Sequence, residues 1–142
     1  MDNNKKVLDG ICKRSREGLR TVDTLDKMDI SPEIREELGS MREEYRRFAD
    51  AAAEIMSGRG YCACNQSTFS EIGSEVTLNL KTMHDRSNTK IAELLMKASA
   101  DGVIEGTKLL RQSDSADDEV KRLADTFIER EKNNFCSLRN FL

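Results

Sequence analysis

The chain has 142 residues, of which 37% are hydrophobic and 35% charged, and its formal net charge is −3. This size and composition predict one compact domain over residues 1–142, and the acidic balance disfavours a general nucleic-acid-binding protein. The sequence contains no apolar run of membrane-spanning length and no apolar stretch typical of a signal peptide near its start, so we expect a cytoplasmic protein without a membrane partner.

All the predicted elements are helices, since the chain has one proline, no tryptophan and no convincing alternating pattern. Apolar and small residues at three-four spacing predict a first helix over 4–27. Ser31 and Pro32 form a helix start signal, and Gly58 is a suitable C-terminal cap, so the second helix is predicted over 32–57. The short link between the two helices favours an antiparallel hairpin.

The second half of the chain is predicted to contain a short helix and two long ones. One helix over 66–112 would be about 70 Å long, which is too long for a compact bundle. Residues able to cap a helix precede position 88, and we therefore expect a short helix over 70–84 and a longer one over 88–112. The last helix is predicted over 116–142, with Ser115 as its N-cap.

Three small residues lie four apart on one face of the predicted third helix, namely Ala98, Gly102 and Gly106. Glycine inside a helix costs stability unless the space it leaves is needed. The pattern is typical of close approach by a neighbouring helix, and the alternative is room for a ligand.

Four long helices, with a hairpin first and a long connection in the middle, resemble the ferritin-like bundle. The segments MHDRSNTKIAELLMKASADGVIEG (83–106) and LADTFIEREKNNFCSLRNFL (123–142) are similar to a group of small uncharacterised bacterial proteins with this fold. The resemblance implies an all-α, ferritin-like four-helix bundle. A crossover connection containing the short extra helix would lead from the second helix to the third.

Ferritin-like proteins bind two metal ions through inward-facing Glu residues and Glu-x-x-His motifs. This chain has a single histidine, His84, and no Glu-x-x-His motif. What the resemblance leaves is a carboxylate-only site formed by Glu44, Glu105 and Glu131, for a hard ion such as manganese or for iron.

A second interpretation needs no metal ion. In it Glu131, on the inward stripe of the last helix, is a buried acid hydrogen-bonded to Tyr45 or Asn134. The other acids would be solvated or ion-paired at the boundary of the core. Glu17, the one glutamate of the first helix, lies off the apolar stripe and is not expected in the core.

Two cysteines, Cys62 and Cys64, occur in the stretch GYCACNQSTF at 60–69. Cys-x-Cys is not a standard zinc spacing, but Cys12 is expected at the same end of the bundle, so the three could form a zinc or redox site. The alternative is that Cys12 is a core residue and that the stretch only begins the crossover. Cys136 is expected at the opposite end, as a packing residue.

The sequence shows no nucleophile–base pair, phosphate-binding loop or metal motif. It also has more apolar residues than one inward stripe per helix uses: Met28, Met56, Met96, Val103, Ile104 and Leu110. We therefore expect a non-catalytic bundle, without a cofactor, that acts by self-association as a homo-oligomer or by binding a protein partner. The alternative is a variant ferritin-like protein that binds iron or manganese.

Overall fold

The structure is a computed structural model that describes residues 2–62, 79–80 and 82–142. These residues form four long α-helices and no strand: α1 (Asn3–Asp26), α2 (Pro32–Gly58), α3 (Asn88–Arg111) and α4 (Asp118–Leu138). A 3-10 turn, Arg139–Phe141, follows α4. The prediction of an all-α protein with four long helices is confirmed.

The first three helices begin and end within two residues of the predicted positions because their start signals are local. The Ser31 side chain accepts a hydrogen bond from the backbone N–H of Ile34 at 3.3 Å. The Ser87 side chain accepts one from the backbone N–H of Lys90, also at 3.3 Å. Each serine thus satisfies a donor that the first helical turn leaves unpaired.

The end of α2 differs in detail from the prediction. Gly58 is the last helical residue, and the left-handed conformation belongs to Gly60, with a φ of +72°. The N–H of Tyr61 donates to the carbonyl of Met56 at 2.9 Å, and that of Gly60 donates to Ser57 at 3.1 Å. This pair of hydrogen bonds is a Schellman motif, in which Gly60 and not Gly58 is the left-handed residue that follows the helix.

The predicted start of α4 was wrong by two residues. Asp117, and not Ser115, is the N-cap residue, and its side chain makes no capping hydrogen bond. Instead the Ser115 hydroxyl accepts from the Asn3 side chain, and the backbone N–H of Asp117 donates to Asn4 Oδ1 at 2.7 Å. Contacts with α1 therefore set where α4 begins.

Contacts at the helix ends give the direction of each helix. At one end of the bundle, the guanidinium of Arg59 after α2 pairs with Asp117 before α4 at 2.5 Å, and Asp117 also contacts the start of α1. At the other end, the Thr89 hydroxyl of α3 donates to the Phe141 carbonyl after α4 at 3.3 Å. Consequently α2 and α3 run parallel, and the end of α2 and the start of α3 lie at opposite ends of the bundle.

Within this arrangement α1 packs mainly against α2, and α3 mainly against α4. The predicted short helix over 70–84 falls mostly outside the described residues. Within that range, residues 79, 80 and 82 are described and helical. Leu80 is fully buried in the core, and Phe48 and Phe127 meet edge to face with their centroids 5.3 Å apart. Among the described residues, no helix is both long enough and apolar enough to cross a membrane.

Candidate functional site

A buried acid lies at the centre of the bundle. Glu131 of α4 is only 3% exposed, and its Oε1 accepts a hydrogen bond from the Tyr45 hydroxyl of α2 at 2.6 Å. The Asn134 side chain, one turn further along α4, donates to the same oxygen at 3.4 Å. The interpretation of Glu131 as a hydrogen-bonded buried acid is confirmed, with both predicted partners.

Two glycines leave the space that this pair of side chains occupies. A Cβ on Gly102 would overlap Oε2 of Glu131 and stand 3.0 Å from its Cδ, and a Cβ on Gly18 would stand 2.5 Å from the Tyr45 ring. Further along α3, a Cβ on Gly106 would meet the Ile128 side chain at 2.8 Å. Gly102 and Gly106 of α3 therefore allow the close approach that their spacing predicted, and the groups that approach are side chains of α4.

Burial changes the proton affinity of both groups. It raises the pKa of Glu131 to about 7, helped by the nearby Glu44 carboxylate and opposed by Tyr45, Arg14 and Asn134. Burial, together with the charge of Glu131, raises the pKa of Tyr45 well above its ordinary value. Tyr45 therefore remains a hydrogen-bond donor at neutral pH, whereas Glu131 exchanges its proton in that range.

A cavity of about 260 Å³ adjoins this acid. All four helices contribute polar residues to its lining: Arg14 and Glu17 from α1, Tyr45 from α2, Asp101 from α3 and Glu131 from α4. Thr21, Asn79 and Lys97 are further polar residues of the lining, and apolar residues form the rest. The cavity is thus an interhelical pocket with acidic groups and a guanidinium on its inner wall.

Glu17 is the site residue that the sequence analysis missed. It was expected off the buried face of α1, but it is only 8% exposed and faces the cavity. The expectation failed because α1 contacts α2, α3 and α4, and therefore buries a wider face than one apolar stripe. Gly18, which makes room for Tyr45, was the local signal that this neighbouring face is also packed.

The two carboxylate oxygens of Glu17 have different surroundings. Oε2 lies 3.5 Å from Nη1 of Arg14, one turn earlier on α1. Oε1 is buried and has no hydrogen-bond partner among the described residues. Burial raises the pKa of Glu17, and the charge of Arg14 is the largest effect opposing that rise. A buried acceptor without a donor is costly, so the Glu17 carboxylate has bonding capacity that is unused.

The three carboxylates predicted as metal ligands do not form one group, although Glu44 is near enough to Glu131 to affect its pKa. Glu105 is exposed and pairs with Lys108 at 3.6 Å, whereas Glu131 is in the core. Glu44 is half-buried and pairs with Arg130 at 3.7 Å. In the described part of the chain, no three His, Cys, Asp or Glu side chains are grouped as a metal site. Binding of iron or manganese stays a prediction.

The described cysteines are free thiols. Cys12 is buried in the core, and it lines a second hollow together with Tyr61, the residue before Cys62, so its predicted position near that loop is confirmed. Cys62 is exposed, and Cys64 lies outside the described residues.

Cys136 is near the opposite end of the bundle as expected. It is exposed rather than packed, because its position falls on the outward face of α4.

No protein-family model matches the sequence, and no curated protein or solved structure is significantly similar to it. The fold and the site therefore define the class on their own. Over its described residues the chain is an all-α protein of four long helices, with an interhelical cavity that polar and apolar residues line.

Proposed function

We propose that this protein is a non-catalytic, ferritin-like binding protein that holds a small ligand in the interhelical cavity. The observation that carries the proposal is Glu17, which lines the cavity while its buried Oε1 has no hydrogen-bond partner among the described residues. Satisfying a buried acceptor removes a desolvation cost, so a ligand that donates to this oxygen gains affinity.

The direction of the helices supports the ferritin-like part of the proposal. Two antiparallel hairpins, α1 with α2 and α3 with α4, are combined with parallel α2 and α3. One long connection between opposite ends is what distinguishes ferritin-like bundles from simple up-and-down bundles. A bacterial origin follows from the same resemblance, and the cytoplasmic location expected from the sequence also belongs to this proposal.

The lining supports binding better than chemistry. The Thr21 hydroxyl donates to the backbone carbonyl of Glu17 at 3.0 Å, and the Tyr45 hydroxyl donates to Glu131. The backbone carbonyl that accepts from Thr21 is not a base, and Tyr45 keeps its proton beside the Glu131 carboxylate because its pKa is raised well above its ordinary value, so neither hydroxyl is activated as a nucleophile. Glu131, with a pKa of about 7, changes the charge of the cavity when it gains or loses its proton.

The cavity can be tested with three probes of similar shape: benzylamine, benzyl alcohol and benzoate. We expect saturation-transfer NMR to show binding of at least one of them, and Ala98→Leu to remove it, because Ala98 lines the cavity. Ala53→Leu, an equal enlargement at an exposed position of α2 outside this cavity, is the control and is expected to leave binding unchanged. No binding of any of the three probes would contradict the proposed function.

Self-association is the second candidate, and the exposure of Ile104 on α3 favours it. Much of the apolar surplus behind that expectation is used inside the bundle, since Met56 and Met96 are buried in the core. Among the described residues, the exposed large apolar side chains are Ile104 at 51% and Leu142 at 61%.

An interface at this position makes a specific prediction. Light scattering coupled to size-exclusion chromatography is expected to show a mass above the 16.1 kDa of one chain. Ile104→Glu is expected to lower the measured mass to that of one chain. Ser40→Glu, at an exposed position of α2, is the control. A wild-type protein that stays at the monomer mass over a wide concentration range would rule this interface out.

A further inference from the structure

The hydrogen-bonding groups of the cavity leave an acceptor unused. Arg14 donates through Nη2 to the Ala98 carbonyl at 3.2 Å, and its Nη1 faces Oε2 of Glu17. The Tyr45 hydroxyl donates to Glu131. These buried donors are therefore engaged, while Oε1 of Glu17 has no donor among the described residues. A ligand that completes this site has to bring N–H or O–H groups of its own.

The charges of the cavity favour a cationic donor. Its inner wall holds two acids, Glu17 and Glu131, against the single guanidinium of Arg14. Lys97 and Asp101 also line the cavity, but they are exposed and carry opposite charges. With both inner acids ionised, the buried groups sum to one negative charge, which one positive charge on a ligand would neutralise. An anionic ligand would add to the imbalance.

The remaining lining favours a hydrocarbon body. Val22, Met41 and Leu95 border the cavity and are almost completely buried. A volume of about 260 Å³ lies just below the usual range of sites for drug-sized molecules, so the ligand is small. Apolar walls around a few fixed polar groups are the common pattern of small-molecule sites.

We infer, on the basis of the proposed function, that the cavity selects small primary amines with a short hydrocarbon or aromatic body. The ammonium group donates to the Glu17 carboxylate, and the body packs against the side chains of Val22, Met41 and Leu95. A charge-assisted hydrogen bond of this kind is stronger than one between neutral groups, which gives the site its selectivity.

The experiment compares the affinities of benzylamine, benzyl alcohol and benzoate by calorimetry at pH 7.5. Benzylamine is expected to bind at least about tenfold more tightly than benzyl alcohol, because one charged hydrogen bond distinguishes them. Glu17→Gln is expected to lower the affinity for benzylamine by about tenfold or more and to change the affinity for benzyl alcohol by no more than about twofold. Glu54→Gln removes the same charge from an exposed position of α2 and is the control. We expect it to leave the affinities for both probes unchanged.

The outcomes separate the inference from the proposed function. Equal affinities for benzylamine and benzyl alcohol, or an unchanged benzylamine affinity in Glu17→Gln, would overturn the amine inference while the cavity remained a binding site. Binding of Mn²⁺ alone that needs Glu17, without benzylamine binding, would also overturn it. Circular dichroism and a cooperative urea transition verify that Glu17→Gln is folded. Ala98→Leu is expected to remove benzylamine binding by filling the same space.

Discussion

Replacing Glu131 with glutamine is expected to raise the free energy of unfolding by up to about 3 kcal/mol at pH 8 and to change it little at pH 4. The folded-state pKa of Glu131 is about 7 against an ordinary value of 4.5. Below pH 4.5 the carboxyl group is protonated in both states and costs nothing. As the pH rises to 7, the unfolded chain ionises while the folded chain stays neutral, so the stability of the wild type falls. Above pH 7 the loss is constant.

Glutamine keeps the side-chain oxygen that Tyr45 and Asn134 bond, but it has no charge to desolvate. Urea unfolding of both proteins between pH 4 and pH 8 measures the difference. Glu129→Gln, an exposed position on the same helix, is the matched control and should stay within about 0.5 kcal/mol of the wild type. A gap between Glu131→Gln and the wild type that does not grow with pH would show that Glu131 ionises normally.

Gly102→Ala is expected to destabilise the protein by about 1–3 kcal/mol. The new methyl group would overlap Oε2 of Glu131 and stand 3.0 Å from Cδ and 3.1 Å from Cγ. The Glu131 side chain cannot move aside freely, because the Tyr45 hydroxyl bonds it at 2.6 Å. Helix propensity alone would favour alanine by about 1 kcal/mol, so the sign of the change decides between the two effects.

Gly39→Ala is the control for this prediction, because no atom lies within 4 Å of a Cβ at that exposed position of α2. Its free energy of unfolding should rise by about 0.5–1 kcal/mol in the same urea experiment. In a Glu131→Ala background, Gly102→Ala should no longer destabilise, since the overlapping atoms are gone. Equal gains at positions 39 and 102 would mean that Glu131 does not fill the space beside Gly102.

The helix boundaries that were predictable are those set by neighbours in sequence. Ser31 and Ser87 cap α2 and α3 through hydrogen bonds to residues three positions later, so their effect is visible in the sequence. Ser115 has the same capping chemistry, but Asn3, 112 positions away, binds its hydroxyl. A local rule cannot anticipate such a partner, and that is why the start of α4 was misplaced.

The candidate site was predictable in part for the same reason. Tyr45 and Glu131 each fall on the inward stripe of an amphipathic helix, and a buried acid needs a donor, so their hydrogen bond was foreseen. Glu17 was not foreseen, because its burial depends on α1 contacting three other helices at once. The width of a buried face is a property of the packed bundle and not of one helix.

The sequence by itself determined the helical class, the positions of three helices and the burial of Glu131, because periodicity and capping act over a few residues. Only the tertiary structure decided that α2 and α3 run parallel, that Glu105 and Glu131 stay apart, and that Glu17 faces a cavity. Each of these depends on how side chains from separate helices share space, and those contacts join residues far apart in the chain.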